Sequence, residues 1–436
     1  MAFSEVFVKT IGCYLQRLLV VASCLLIFLS TALSACGSAG TTAVVGNPVF
    51  GNSSLTTASP VEAEPSPGVA YTPTLSLDKV MSSPDYGMQV FLYWREEVAD
   101  RDLRLVEEAG FRWVKQEIPW REVEGHAKGE WQWETPDRIM DQIEAHDLKV
   151  IVRLGVQPGW ASSVPLPEVS PPDNLQDFYD YVYAVANRYQ GRVQAYQIWN
   201  EPNLAREWGG RPPSPAEYVE MLKVGYQAVK DADPQAVVIS AGLAPTTRHD
   251  HEAMPDIYFI QGMYDAGAAP YFDALGVHAP GYKSPPEIDP AVVASDPALN
   301  NGDGAPEELR RVYCFRHVED VREIMVRNGD EAKKIVVLEF GWTVEPRPAS
   351  PYHWHAVTLE QQDKYLQHAY AYATENWQPW IGVMSLIYIA DPSWHMDMEE
   401  TYWSIVYPYY PELRTAPAYY GMFYMPKVPP AEETPN

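Results

Sequence analysis

Residues 193–204 read VQAYQIWNEPNL. An apolar run that ends in Asn-Glu-Pro is a strand stopped at a charged tip, because Pro202 has no N–H with which to extend a sheet ladder. Shortly behind it, Ser214 and Pro215 form an N-cap and first-turn proline, opening the amphipathic run SPAEYVEMLKVGYQAVKDAD. Strand, polar tip and helix together make one βα unit. The same alternation recurs along most of the chain.

Seven further apolar runs read as strands: GMQVFLYW (87–94), FRWVKQEI (111–118), LKVIVRLG (148–155), AVVISAGL (236–243), FDALGVHA (272–279), KIVVLEFG (334–341) and GVMSLIYI (382–389). Helical patterns separate them, at RDLRLVEEAG, TPDRIMDQIEAHD with Thr135 before Pro136 as its cap, NLQDFYDYVYAVANRY, PDIYFIQGMYDAG, PEELRRVYCFRHVEDVREIMVRNG and TLEQQDKYLQHAYAYATEN; a last one lies at APAYYGMFY. Near-continuous apolar strands suit a parallel sheet buried on both faces, and helices are the crossovers that parallel strands need. Eight such units predict an α/β fold, a single (β/α)8 TIM barrel. A doubly wound open sheet would carry a Gly-rich phosphate loop after its first strand, and YWREEVADRD has none. The connections after the third, sixth, seventh and eighth strands are long and rich in Pro and aromatics. In a barrel the long side is the face where sites are built.

The barrel is expected over residues 85–425, with a disordered tail at 426–436. Lys9 and Arg17 precede the apolar run LLVVASCLLIFLSTAL, and small residues lead to Cys36, the order of a secretion signal over residues 1–35. Residues 36–84 are rich in Gly, Ser, Thr, Ala and Pro and read as a flexible linker. Removing the signal takes away two bases and one acid, so the formal charge of −26 becomes −27. So acidic a surface repels nucleic acid and anionic headgroups. Of the four cysteines only Cys314 stays in the folded part without a modification; it is expected to be a buried structural thiol. With 46% hydrophobic residues the chain has a large core, and 14 Trp and 28 Tyr exceed what that core needs. Some of them are expected to stack against a flat ligand.

Two carboxylates stand out by position: Glu201 follows the fourth strand and Glu339 lies near the end of the seventh. On a barrel both reach the central mouth, where glycosyl transfer with retention uses a carboxyl pair about 5–5.5 Å apart. The motifs IWNEPN (198–203) and LEFGW (338–342) resemble the signatures of the clan A glycoside hydrolases, cellulase- and β-glycosidase-like retaining (β/α)8 enzymes. LSACG similarly resembles a bacterial lipobox.

The first resemblance implies a retaining hydrolase of β-glycosidic bonds in a plant or microbial oligo- or polysaccharide, with Glu339 as nucleophile, Glu201 as acid/base and Asn200 on the sugar 2-hydroxyl. His278 or Tyr282 would support the nucleophile. Arg153 and Glu117, late in their strands, are candidates for orienting a carboxylate or contacting hydroxyls, with a structural salt bridge or hydrogen bond the alternative for each. Trp94, Trp120, Trp160, Trp342, Tyr388 and Trp394 lie at strand ends and are candidates for stacking on sugar. No cofactor or metal is expected, since HDH, HWH and HMDMEE lack a third ligand at a recognisable spacing. The second resemblance implies lipidation of Cys36, an extracytoplasmic location and membrane attachment through that lipid alone, for a chain expected to act as a monomer. A non-catalytic glycan-binding lipoprotein and a transglycosylase are the competing readings.

Overall fold

The computed structural model describes residues 77–429. The signal, most of the linker, Cys36 and the end of the tail therefore lie outside the described residues. Helix α1 (Leu77–Val80) leads into β1 (Asp85–Gln89), and the chain continues as α2 (Glu96–Glu108), β2 (Trp113–Pro119), α3 (Trp120–Val123) and α4 (Glu134–Ala145). Next come β3 (Lys149–Gly155), α5 (Leu175–Arg188), β4 (Ala195–Ile198), α6 (Pro215–Ala232), β5 (Val237–Ile239), α7 (Asp256–Asp265) and β6 (Ala274–Pro280). After α8 (Pro290–Ser295), α9 (Glu307–Arg310) and α10 (His317–Arg327) come β7 (Lys334–Gly341), α11 (Leu359–Asn376), β8 (Ile381–Leu386) and α12 (Pro417–Tyr424). The eight strands close into one barrel in sequence order, every neighbouring pair parallel and β8 returning to β1. The expected (β/α)8 barrel is the observed fold. Among the described residues no helix is long and apolar enough to cross a membrane.

The inward faces fill the lower barrel with Trp113, Ile151, Ala195, Val237, Ile239, Ala274, Val336, Leu338 and Val383. The outward faces pack with the helices into a second, larger cluster. This double burial is why the strands read as near-continuous apolar runs. Helix α1 plugs the lower end: Met81 joins the inner cluster, Lys149 Nζ donates to Val80 O at 2.7 Å, and Lys334 pairs with Asp78 at 2.9 Å. The folded body thus begins ahead of the expected boundary at 85. It also runs past 425, since Val428 N donates to the Tyr86 hydroxyl at 2.8 Å.

Two local expectations need correcting. Helix α4 starts at Glu134, so Thr135 lies inside it, and no side chain caps it; Ser214, by contrast, caps α6 by accepting from Glu217 N. The single helix expected over 306–329 is two, α9 and α10, with 311–316 non-helical between them. Cys314 lies in that break, buried, its thiol facing Arg311 O at 3.4 Å and pushed up to about 12 chiefly by burial. It is the inert thiol expected.

Candidate active site

Period-two alternation carries the inward face of each strand upward from apolar to polar. On β2, Trp113 is followed inward by Lys115 and Glu117; on β3, Ile151 by Arg153; on β4, Ala195 by Gln197. Strand β7 departs from this rule. Val336 and Leu338 face inward while Val337 and Phe340 face the helices, so strict alternation would send Glu339 outward. The register against β6 slips instead: Val277 pairs with Val337, but His278 pairs with Glu339. The extra residue is a β-bulge that turns Glu339 into the mouth directly after Leu338.

Glu201 arrives by a bend at the tip of β4. Trp199 (φ 70°) and Glu201 (φ 43°) both occupy the left-handed region, and Glu201 N donates to Gly242 O at 2.9 Å. Such backbone costs roughly 1–3 kcal/mol per residue and persists where surrounding structure enforces it. One oxygen from each of Glu201 and Glu339 and a ring nitrogen of His278 lie within 4.8 Å of one another. His278 Nδ1 sits between the carboxylates, 3.2 Å from Glu201 Oε1 and 3.7 Å from Glu339 Oε2. The ring is held there by a close approach, because a Cβ on Gly242 would fall 2.2 Å from His278 Nε2. Gly242→Ala is therefore expected to displace the imidazole and lower kcat/KM by about 100-fold, the cost of a misplacement near 1 Å. Thermal unfolding measured alongside should fall only by the cost of local overpacking, about 1–3 kcal/mol.

Lys115, which sequence reasoning missed, is the closest cation to Glu339, with Nζ 2.8 Å from Oε1 and 3.0 Å from Gln89 Oε1. The available signal was a lysine inside an apolar strand, two residues from Glu117. Burial by itself would raise Glu339, but His278, Lys115 and Arg153 outweigh it and hold the carboxyl down at about 2. Glu339 is thus an anion at any ordinary pH. A group depressed in this way loses its charge only as pH falls through its lowered value, so removing a depressing cation moves that loss upward. In Lys115→Met the acidic limb of kcat/KM is expected to rise by roughly one pH unit or more, which a pH–rate profile measures.

Glu201 carries its own cation, Arg206, also missed from sequence, with Nη2 2.8 Å from Oε2. Burial and the charge of Glu339 raise Glu201, yet the His278 hydrogen bond and charge and Arg206 leave it lowered. With an ammonium on one carboxylate and a guanidinium on the other, the positive charge that a metal would supply is already present.

The remaining candidates divide. Arg153 forms the structural salt bridge with Glu117, donating to Oε1 at 2.8 Å, and also lies close enough to Glu339 to lower it. Asn200 stands beside the pair, its Oδ1 accepting from Gln197 Nε2 at 3.3 Å. Tyr282 is not a partner of Glu339: its hydroxyl donates to Pro245 O at 3.4 Å, and its ring packs on Tyr313, Trp354 and His355. Trp342 and Trp120 are corrected outright, both 0% exposed. Trp342 donates to Ser284 O across the place where a Gly281 side chain would be, and Trp120 lies stacked on Tyr181. Trp160 braces Trp120 edge-on and donates to Glu124 O. Tyr388 and Trp394 pack with Phe91 beyond the ends of β8 and β1. Trp94, 48% exposed, is tied to the same side by a 2.8 Å bond to Asp391. These four rings form an aromatic wall on one side of the mouth.

A closed (β/α)8 barrel with a carboxylate pair at its upper mouth is the class of protein that fold and site define. Comparison with known proteins leads to glycoside hydrolases. The family model of glycoside hydrolase 42, described as beta-galactosidase, matches residues 90–180. That stretch holds Lys115, Glu117 and Arg153 but neither Glu201 nor Glu339. Among solved structures, a family 39 glycoside hydrolase of the gut symbiont Bacteroides cellulosilyticus WH2 aligns with a TM-score of 0.56 and 17% identity, over 79% of this chain and 64% of its own. The GH5_18 protein of Streptomyces cattleya, in complex with GlcNAc, aligns at 0.55 and 12% identity, over 79% of each chain. A GH10 endoxylanase from a sugarcane soil metagenome aligns at 0.50 and 15% identity, over 78% of this chain and 97% of its own. These likenesses show the shared fold. No curated protein matches the chain.

Proposed function

We propose that the protein is a retaining glycoside hydrolase that cleaves β-glycosidic bonds by double displacement. The observation that carries this reading is the approach of Glu201 and Glu339 oxygens to within 4.8 Å, delivered from β4 and β7. An inverting enzyme must seat a water between its carboxyls and separates them by about 6.5–9.5 Å, whereas retention needs about 5–5.5 Å. Glu339, ionised and aligned by Lys115, attacks the anomeric carbon. Glu201 gives a proton to the leaving oxygen. Once Glu339 is an ester its charge is gone, and Glu201 as carboxylate takes a proton from the water that releases the sugar. Gln197 orients Asn200 and, among the described residues, leaves its amide nitrogen without a partner, as a donor to the 2-hydroxyl requires. The wall of Phe91, Trp94, Tyr388 and Trp394 supports rings that stack on pyranose faces.

The substrate in this reading is a plant or microbial oligo- or polysaccharide. Turnover of a panel of aryl β-glycosides and β-glucans by wild type and Glu339→Gln tests it. Transfer to an added sugar acceptor in place of water would identify a transglycosylase, which needs the same residues and a drier cleft. The basic start, the apolar run and LSACG further support export and lipidation at Cys36, giving an extracytoplasmic lipoprotein. Incorporation of labelled fatty acid into wild type but not Cys36→Ala checks that part.

A further inference from the structure

The carboxylate assigned to deliver a proton has both oxygens engaged by neighbouring side chains. Oε1 faces His278 Nδ1 and Oε2 holds Arg206. Arg206 belongs to the short turn Ala205–Glu207 just past the β4 tip, and its side chain is 67% exposed. The same guanidinium has a second carboxylate within reach: Arg206 Nε is 3.8 Å from Glu207 Oε1. Trp199 fixes that turn, its Nε1 donating to Glu207 O at 3.1 Å.

We propose that Arg206 is a two-position guanidinium, resting on Glu201 and moving to Glu207 when the leaving-group sugar enters, which frees Glu201 Oε2 for the proton it delivers. The proposal rests on the reading of Glu201 as acid/base. The leaving group must approach Glu201 on the oxygen that will protonate it, so the solvent-facing guanidinium is displaced and the buried imidazole stays.

The surrounding charges fit the exchange. Glu201 is faced by His278 from β6, by Glu339 from β7, with Lys115 of β2 upon it, and by Arg206. Glu207 is faced by Glu201, by Arg153 of β3, by Arg206 and by Glu117 of β2. Tyr352, after β7, lies near Arg206 and Glu201, and Tyr388, beyond β8, near both catalytic carboxylates. Burial, reinforced by Glu201, pushes Glu207 up to about 7 while Glu201 is lowered, so near neutral pH a proton is shared in favour of Glu207. The balance closes inside the site: Glu207 releases a proton as it receives the guanidinium, and Glu201 takes one as it loses it. That proton then passes to the glycosidic oxygen as the C–O bond breaks and its electron pair moves to that oxygen.

The test compares pH profiles on a phenyl β-glycoside, a substrate that needs acid assistance. The alkaline limb of kcat/KM reports Glu201 in the free enzyme, and that of kcat reports it in the complex. In wild type the kcat limb should lie at higher pH. In Arg206→Gln the kcat/KM limb should rise to meet it, by roughly half to one pH unit because solvent screens the exposed guanidinium. Arg206→Lys should keep the wild-type separation. Glu207→Gln, which removes the second seat, should lower the kcat limb toward the kcat/KM limb. A kcat/KM limb that stays in place in Arg206→Gln, or two limbs that move together, overturns the proposal. Azide rescue of Glu201→Ala judges the acid/base assignment separately, so a failed exchange and a failed assignment give different results.

Discussion

Glu339→Gln is expected to lower kcat on aryl β-glycosides by on the order of 10⁵-fold, the scale seen when a covalent nucleophile is removed. The substitution keeps the shape and takes away the charge. Glutamine can still accept from Lys115 Nζ, now 2.8 Å from Glu339 Oε1, and can still sit beside His278. What it lacks is the anionic oxygen that forms the glycosyl ester. Lys115, whose side chain is 2% exposed, would then be a buried ammonium without a counter-ion. Leaving one partner of a buried pair uncompensated costs about 3–5 kcal/mol, a penalty that this cation can escape by losing its proton, since burial already lowers it. Thermal unfolding should therefore show a folded, moderately destabilised variant whose KM changes little. Residual activity above about a hundredth of wild type would remove Glu339 from the nucleophile's role. Equal inactivity of wild type and variant, with glycans still bound by both, would favour the non-catalytic reading.

How much of this was legible beforehand follows from which signals are periodic. Buried parallel strands and amphipathic crossovers leave strong local patterns, so all eight strands were placed and KIVVLEFG coincides with β7. The ends drifted where pairing is short: β5 spans three residues because it meets β6 at a single register pair, Ile239 with Ala274. Glu201 and Glu339 were found as charges ending apolar runs. The bulge that aims Glu339 inward was not, because Leu338-Glu339 reads as ordinary alternation until the slip against β6 is known. Lys115 was passed over although it lies two residues from Glu117, since a lysine in a strand gives no hint of a partner 224 positions away. The tryptophans failed for a different reason. Position at a strand tip does not tell a ring that faces the mouth from one that folds behind the strand, and Trp120 and Trp342 both went behind.

Glu201→Ala should separate the two halves of the reaction. Protonation of a poor leaving group contributes about 10²–10⁴-fold, so hydrolysis of a phenyl glycoside should fall by that range. A dinitrophenyl glycoside leaves without a proton, so its first step should survive and the glycosyl ester on Glu339 should accumulate as a burst. Azide should then speed turnover, because it attacks the ester without a general base and fits the space the glutamate vacates. Its product must be the β-azide: two displacements at the anomeric carbon restore the starting configuration, and the approach of Glu201 and Glu339 oxygens to within 4.8 Å suits the closer carboxyl spacing of retention. An α-azide would mean a single displacement and would reassign Glu339 as a base.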